Sequence, residues 1–154
     1  MHETHMRAAI ALARQSVQSG GGPFGAVVVH NGIVVGQGTN RVTATNDPTA
    51  HAEILAIRDA AKTLTTFRLQ ECDIYASCEP CPMCLAAIYW AHIKQAYYAG
   101  TRADAAAVGF DDALIYEEIV KASADRRLTM NQLLPEEGRA ALAAWLTVPD
   151  RVNY

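Results

Sequence analysis

The sequence predicts an α/β protein: a three-layer αβα sandwich with a mixed central sheet, followed by a helical C-terminal segment. Two observations support this fold class. Residues 4–19 carry apolar side chains at a spacing of about 3.6 residues, which indicates an amphipathic helix. Short apolar strands and helical segments then alternate along the chain, an order that places helices on the faces of a sheet. The length of 154 residues fits one domain spanning residues 1–154.

A hairpin forms the start of the predicted sheet. The apolar runs 26–29 and 33–35 flank Asn31 and Gly32, two residues that tolerate the positive φ angles of a two-residue hairpin turn. The first run contains no polar residue, so we expect helices to cover both of its faces.

The rest of the sheet is predicted to follow a strand–helix–strand pattern. Residues 73–77 and 95–99 are the strands, and the helix between them covers about residues 81–91. We expect this unit to be a parallel, right-handed crossover. Before it, the pair Asp47-Pro48 indicates the start of a helix over about residues 48–64. Beyond residue 109 the predicted elements are two helices, at 112–122 and 135–146, and a polar tail at 147–154.

His51, Glu53, Cys81 and Cys84 form the most specific chemical pattern in the chain. A catalytic zinc takes three protein ligands and leaves its fourth position to water, and one histidine with two cysteines supplies that number. Pro82 is a favoured first residue of a helix, so Cys81 and Cys84 lie on one face at a helix start. His51 is expected just inside the preceding helix, and the long side chain of Glu53 can reach water on the metal. His-x-Glu followed by Pro-Cys-x-x-Cys is a signature of zinc deaminases, in which the glutamate carries protons.

Two other interpretations of the cysteines remain open from the sequence alone. Cys81 and Cys84 after a strand are also typical of a redox dithiol, although that chemistry gives the His-x-Glu pair no role. A structural zinc module would fill the fourth position with a protein ligand, for which Cys78 is the candidate. Because Cys78 precedes Pro80, where the chain is still extended, we expect it to be a small buried apolar residue instead.

Composition and charge exclude several functional classes. Apolar residues make up 51% and charged residues 19% of the chain, as in globular proteins, and no apolar run reaches the ~18 residues of a membrane span. Residues 1–102 carry eight Lys/Arg against seven Asp/Glu, and residues 103–154 carry five against nine. Neither part offers the basic stripe of a nucleic-acid-binding protein, so we expect a small, weakly charged substrate. Three cysteines within seven residues favour metal over disulfides, and the N-terminus shows no secretion signal; both predict a cytoplasmic protein.

Three motifs of the chain resemble the cytidine-deaminase superfamily. They are Gly-Pro-Phe-Gly-Ala at 22–26, Asn-Asp-Pro-Thr-Ala-His-Ala-Glu at 46–53, and Ser-Cys-Glu-Pro-Cys-Pro-Met-Cys at 77–84. Within the superfamily the chain is most similar to the small bacterial guanine deaminases. The segments that support this are Ala-Ile-Tyr-Trp-Ala at 87–91, Gly-Phe-Asp-Asp at 109–112, and the terminal Tyr154. The resemblance covers essentially the whole chain and implies a cytidine-deaminase-like fold.

The resemblance implies a role for each matched position. His51, Cys81 and Cys84 would hold one Zn²⁺ per chain. Glu53 would shuttle protons, and Asp112 would contact the ring and relay a second proton. The implied substrate contacts are Asn40, which would hydrogen-bond the purine, and Phe24, Trp90 and Phe110, which would wall the base.

Several of these positions also have an ordinary structural interpretation. Phe24 is equally typical of a core residue, and Asn40 after a strand is typical of a turn. Asp111 and Asp112 are typical of residues that cap a helix. Trp90 lies six residues after Cys84, about 120° from it around a helix, which predicts partial exposure to the pocket.

The family further implies a homodimer. Its C-terminal segment crosses to the partner subunit, so about residues 103–154 would be exchanged and Tyr154 would close the neighbour's pocket. The ordinary alternative is that Tyr154, as a chain end, is disordered.

The implied reaction is the zinc-dependent hydrolytic deamination of guanine, a small purine, to xanthine and ammonia in purine catabolism or salvage. Two rivals remain. A deaminase of tRNA adenosine or of another nucleoside or nucleobase shares the core motif, although tRNA binding needs basic residues that the charge count does not show. A structural zinc module, which is not an enzyme, would leave Glu53 without a role.

Overall fold

A four-stranded mixed sheet organises the first part of the chain. The computed structural model describes all residues from 1 to 154 and divides them into two compact units, residues 1–112 and 113–154. The sheet of the first unit has the strand order β2-β1-β3-β4, in which β1 pairs antiparallel with β2 and β3, and β3 pairs parallel with β4. Its strands are β1 (Gly25–His30), β2 (Ile33–Thr39), β3 (Cys72–Cys78) and β4 (Gln95–Gly100). The predicted mixed sheet and its parallel strand pair are confirmed.

The hairpin between β1 and β2 is the one that the sequence predicts. Asn31 and Gly32 have φ angles of 50° and 78°, and the flanking His30 and Ile33 pair directly. Two consecutive positive φ angles match the right-handed twist of the strands, which is why an Asn-Gly pair is favoured here.

Helices cover both faces of this sheet. Helix α1 (His2–Gln18) contributes Ala9 to a buried cluster with Val27, Val29 and Tyr75. On the other face, Ala26 and Val28 of β1 pack with residues of α3 (Ala52–Leu64) and α4 (Pro82–Trp90). Alternate residues of β1 therefore point into two different cores, as expected of an apolar strand buried on both sides. The three-layer αβα architecture follows for residues 1–112.

Helix α3 approaches β2 so closely that side chains do not fit between them. A Cβ on Gly36 would lie 2.4 Å from the carbonyl oxygen of Ala56, and a Cβ on Gly38 would lie 2.2 Å from that of Ala52. Only glycine permits such a backbone approach without displacing the helix. This contact fixes the start of α3, where the candidate site lies.

The predicted start of the second helix at Pro48 is wrong. Helix α3 begins at Ala52, and His51 is its N-cap residue with extended backbone angles, not a residue inside the helix. The reason is local, because Oδ1 of Asp47 accepts hydrogen bonds from both the backbone N–H and the hydroxyl of Thr49, at 2.8 and 2.6 Å. Asp47 therefore closes a turn over Pro48 and does not cap the helix.

Two short helices were not predicted from the sequence. Helix α2 (Val42–Thr45) follows β2, and α5 (Arg102–Ala107) follows β4. A capping box begins α5: the Thr101 side chain accepts from the backbone of Asp104, and the Asp104 side chain accepts from the backbone of Thr101.

Residues 113–154 form the second unit, which is helical as predicted. It contains α6 (Ala113–Ile119) and α7 (Pro135–Ala144), with 3₁₀ turns at Ser123–Asp125 and Trp145–Thr147. None of its residues is buried, and its exposed apolar side chains include Ile119, Leu133 and Leu142. Among the helices of the whole chain, none has the length and apolar character needed to cross a membrane.

Candidate zinc site and its surroundings

Two helix N-termini bring the predicted zinc ligands together. His51 is the N-cap of α3, Cys81 is the N-cap of α4, and Cys84 lies in the first turn of α4. Pro82 occupies the first turn of α4, as its sequence position predicts. Because both helices lie on the same face of the sheet, their N-termini are neighbours.

The spacing of the three donor atoms suits a tetrahedral zinc ion. Nδ1 of His51 lies 3.5 Å from Sγ of Cys81 and 3.5 Å from Sγ of Cys84, and all three atoms are within 4.8 Å of one another. With Zn–S and Zn–N bonds of about 2.3 and 2.0 Å at tetrahedral angles, sulfur and nitrogen ligands are separated by about 3.5 Å. The donor set and its spacing both fit zinc.

The two thiols share one proton when no metal is bound. A hydrogen bond with Cys84, assisted by one with His51, lowers the pKa of Cys81 to about 4. The same hydrogen bond and burial raise the pKa of Cys84, and the bond with Cys81 raises the pKa of His51. Cys81 is thus a preformed thiolate, which is the form that binds metal.

Glu53 lies beside the ligands without belonging to them. It is the second residue of α3, its side chain is 8% exposed, and it is not among the three clustered donors. Burial raises the pKa of Glu53, and its interaction with His51 lowers that pKa only in part. A buried carboxyl group beside the candidate ligands is placed to accept and return a proton, so the geometry suits general acid–base chemistry.

Cys78 does not join the metal ligands. Its Sγ lies 3.5 Å from the carbonyl oxygen of Thr101, and the chain has no His, Cys, Asp or Glu that joins His51, Cys81 and Cys84 as a fourth donor. The candidate site therefore offers three donors, the number of protein ligands that a catalytic zinc takes, and lacks the fourth donor expected of a structural module.

Three of the predicted substrate contacts lie next to one another. The rings of Phe24 and Phe110 pack edge-to-face with centroids 4.9 Å apart, after a turn in which Gly109 has a φ of 97°. The backbone N–H of Asn40 donates to the carbonyl of Phe24 at 3.1 Å. The Asn40 side chain is oriented by the start of helix α2, since its Oδ1 accepts from the N–H of Val42 at 3.3 Å.

Asn40 also lines a cavity of about 350 Å³ on the outer side of β2, together with Arg41 and residues of α1 such as Ser16. None of the three clustered donors lines this cavity. The cavity is therefore lined by a predicted substrate contact, Asn40, but by none of the candidate metal ligands.

The other two aromatic predictions are not tested by these contacts. Trp90 is the last residue of α4, with a side chain 65% exposed, and Tyr154 in the second unit is 75% exposed. Their roles as pocket residues stay predictions.

Two residues near the site were not singled out from the sequence. Glu79 accepts a hydrogen bond from the backbone N–H of Arg102 at 3.0 Å, and Nε of Arg102 lies 3.9 Å from Oδ1 of Asp112. The Thr101-x-x-Asp104 capping box is a sequence signal for the helix start that carries Arg102. The contact of Arg102 with Asp112 has no such signal.

The family to which the chain belongs follows from a comparison with known proteins. The family model for the cytidine and deoxycytidylate deaminase zinc-binding region matches residues 1–100, which include both metal motifs. The chain belongs to this deaminase family.

Guanine deaminases and tRNA-specific adenosine deaminases are among the relatives of this deaminase. The guanine deaminase of Bacillus subtilis is 47% identical over 154 residues, 99% of each chain, and its crystal structure superposes with a TM-score of 0.96, covering 100% of this chain and 99% of that one. A guanine deaminase structure from Nitrosomonas europaea is 35% identical with a TM-score of 0.69, covering 71% of this chain and 64% of that one. The tRNA-specific adenosine deaminase of Agrobacterium fabrum is 45% identical over 96 residues, 62% of this chain and 63% of its own. The deaminase thus carries a zinc-binding domain with a cytidine-deaminase-like α/β fold.

Proposed function

We propose that this deaminase hydrolyses guanine to xanthine and ammonia with one zinc ion per chain. The observation that carries the proposal is the three-ligand donor set beside buried Glu53, in a chain that is 47% identical to a guanine deaminase over 99% of both lengths. His51, Cys81 and Cys84 are the proposed ligands. When bound, zinc lowers the pKa of a water molecule from 15.7 to about 7 and so supplies hydroxide at neutral pH.

Glu53 is the proposed proton carrier. It takes a proton from the attacking water, and hydroxide adds to C2 of guanine, the ring carbon that carries the amino group. Glu53 gives this proton to a ring nitrogen. It then takes the proton of the new C2 hydroxyl group and passes it to the amine, so that the C2 carbonyl forms as the C2–N bond breaks and the amine departs as ammonia. Proton transfer by a positioned side chain is worth about 10²–10⁴ in rate. Burial favours this role, because it raises the pKa of the carboxyl group and so strengthens its hold on the proton that it takes from water.

The purine is proposed to lie between aromatic walls. Phe24 and Phe110 form one wall through their edge-to-face contact, and Trp90 is the proposed second wall. Asn40 offers its side-chain amide to the ring, and its orientation by the Val42 N–H supports a fixed hydrogen bond. Asp112 is the proposed second acid–base group. We infer that a purine base, not a nucleic acid, is the substrate, since Lys/Arg outnumber Asp/Glu by only one in residues 1–102 and are outnumbered in residues 103–154.

We further propose a homodimer in which the C-terminal segment docks on the partner subunit and Tyr154 closes the partner's pocket. The sequence places this segment at about residues 103–154, and we limit it to the second unit, residues 113–154. The support is the exposed apolar surface of this segment, where Leu133 is 82% and Leu142 is 76% exposed. Apolar surface on this scale favours association, and exchange of identical segments is a common route to dimers. The cytoplasm is the compartment we infer, because all four cysteines are free thiols.

Ammonia release from a panel of substrates tests the proposed function. Guanine should be deaminated with the highest kcat/KM, and the values for guanosine, adenine, cytosine and cytidine should be much lower. A pocket that hydrogen-bonds guanine leaves buried polar groups unpaired with another base, and such mismatches reach about 10⁴-fold in kcat/KM. Glu53→Gln is the control, since it should abolish release without altering the fold. Faster release from cytidine would overturn the assignment of guanine and keep the zinc chemistry.

Deamination of tRNA adenosine is the second candidate, because a tRNA-specific adenosine deaminase is 45% identical over 96 residues. An anticodon stem-loop with a wobble adenosine belongs in the same assay. Its deamination at a rate above that of guanine would establish this alternative.

A further inference from the structure

Arg102 makes a charged contact with a proposed catalytic group. Its Nε lies 3.9 Å from Oδ1 of Asp112, whose side chain is only 20% exposed. The Arg102 side chain is 41% exposed, so part of it lies against the protein and part in solvent. A carboxylate that is mostly buried has few orientations, and a neighbouring cation selects among them.

The backbone of Arg102 is tied to the cysteine motif. Its N–H donates to Oε2 of Glu79 at 3.0 Å, and the N–H of Glu79 donates to the carbonyl of Gly100 at 2.8 Å. Glu79 is two residues before Cys81, so a short path of hydrogen bonds connects the ligand segment to the start of α5. The Thr101–Asp104 capping box holds the first turn of α5 in addition. Arg102 is therefore held in a fixed place relative to the candidate ligands.

We propose that Arg102 is a positioning residue that holds the carboxylate of Asp112 in its working orientation toward the substrate. This inference rests on the proposed function, in which Asp112 contacts the ring. Burial raises the pKa of Asp112, the charges of Cys81 and Asp111 act in the same direction, and Arg102 opposes them. The guanidinium thus favours the charged form of Asp112 as well as its orientation.

Substitutions at position 102 distinguish the effect of the Arg102 side chain from that of its backbone hydrogen bond to Glu79. Arg102→Gln and Arg102→Lys both keep the N–H that donates to Glu79, so the backbone anchor is retained and only the side chain changes. We expect Arg102→Gln to lower kcat on guanine by roughly tenfold to a hundredfold with KM changed less than about twofold, since small misplacements of a reacting group cost this much. Arg102→Lys, which restores the charge, should recover at least half of wild-type kcat. The control Arg7→Gln removes an exposed cation that pairs with Glu3 and should match wild type.

The pH profile gives a readout that a merely structural role would not move. Loss of the cation raises the pKa of Asp112, so the acid limb of the kcat profile should move to higher pH in Arg102→Gln and stay near its wild-type position in Arg102→Lys. Zinc content and melting temperature should equal those of the wild type in both variants. An Arg102→Gln variant with wild-type kcat and an unmoved acid limb would overturn the proposal.

A measurement without substrate keeps this test independent of the proposed function. Carbon-13 NMR of the Asp112 carboxyl group in the zinc-loaded protein should show a higher titration midpoint in Arg102→Gln than in the wild type, with Arg102→Lys between them. If the wild type releases no ammonia from guanine, the proposed function is wrong, and this titration still decides whether Arg102 acts on Asp112. Identical midpoints in all three proteins would refute the contact.

Discussion

Nδ1 of His51 lies 3.5 Å from Sγ of Cys84, although 33 residues separate the two along the chain. Each residue stands at the beginning of a helix, α3 for His51 and α4 for Cys84. The start of α3 is fixed by its close approach to Gly38, and the start of α4 follows directly from strand β3. The site is therefore placed by backbone packing at the starts of the two helices.

Removing a proposed ligand should remove the metal. Cys81→Ser and Cys84→Ser replace a thiolate ligand by a hydroxyl, which binds zinc poorly, so both variants should lose zinc and activity. Cys78→Ser is the matched control because its thiol faces the carbonyl of Thr101, and it should keep most of both. Elemental analysis of the purified variants measures the loss. Full zinc occupancy in Cys84→Ser would show that the ligand assignment is wrong.

Zinc should bind more tightly as the pH rises. At neutral pH the metal-free protein holds a proton on Cys84, whose pKa is raised, but none on Cys81, whose pKa is lowered to about 4. Binding must release the Cys84 proton, and below the raised pKa of His51 it must release a second one. The apparent affinity should therefore increase by roughly tenfold per pH unit for each proton released. Competition with a chromophoric chelator between about pH 6.5 and pH 8 measures this slope. A flat profile would contradict the shared proton.

Glu53→Gln should separate metal binding from catalysis. The amide is nearly isosteric with the carboxyl group but cannot carry a proton, so kcat should fall by ~10³-fold or more while KM changes little. Zinc content should remain at the wild-type level, because Glu53 is not among the clustered donors. Steady-state kinetics and elemental analysis on one preparation give both values. Near-normal turnover would leave the reaction without its acid–base group.

Gly38→Ala should destabilise the first unit. The added Cβ would lie 2.2 Å from the carbonyl oxygen of Ala52, so α3 must shift away from β2. We expect a loss of about 1–3 kcal/mol in the free energy of unfolding, the usual cost of overpacking. Gly138→Ala in α7 is the matched control, because a Cβ there meets nothing within 4 Å. That substitution should raise helix stability by about 0.5–1 kcal/mol. Urea titration compares the two, and equal stability would contradict the close approach.

The proposed exchange of the C-terminal segment predicts complementation between two defective chains. One chain carries Glu53→Gln and the other lacks residues 150–154. In a mixed dimer, one of the two sites then combines the intact Glu53 of the truncated chain with the intact Tyr154 of the Glu53→Gln chain. With random pairing, half of the dimers are mixed and each has one complete site of two. About a quarter of wild-type activity should return on coexpression.

The controls for the complementation test are the two parent proteins, the Glu53→Gln chain and the chain lacking residues 150–154. Each should be nearly inactive when expressed alone. No recovery in confirmed mixed dimers would mean that the tail serves its own subunit. An active truncated parent would mean that Tyr154 serves neither site.

The sequence predicts the parts of this structure that depend on neighbouring residues. The hairpin follows from Asn31 and Gly32 alone, and Pro82 places the start of α4 because its fixed φ suits a first turn. The three ligands are predictable for a similar reason, since a His-x-Glu and a Cys-x-x-Cys each act within one turn of chain. Their convergence is also predictable, because strand ends and helix starts meet at one edge of such a sheet.

What the sequence does not predict depends on contacts between distant or competing groups. Asp47 and Pro48 resemble the start of a helix, but the Thr49 hydroxyl and N–H compete for the Asp47 carboxylate and close a turn instead. The contact of Arg102 with Asp112 is set by the turn at Gly109 and the anchor on Glu79, and no local pattern reports it.

The length of chain between His51 and Cys81 gives the metal a part in folding. The two residues are 30 positions apart, and a single ion that holds both closes a loop of that length. A link of this kind removes conformational freedom mainly from the unfolded chain, as a disulfide does. Because the ligands converge only when the chain is folded, the free energy of zinc binding adds to that of folding. None of the four cysteines forms a disulfide, so the proposed zinc site is also the cross-link that ties distant parts of the chain together.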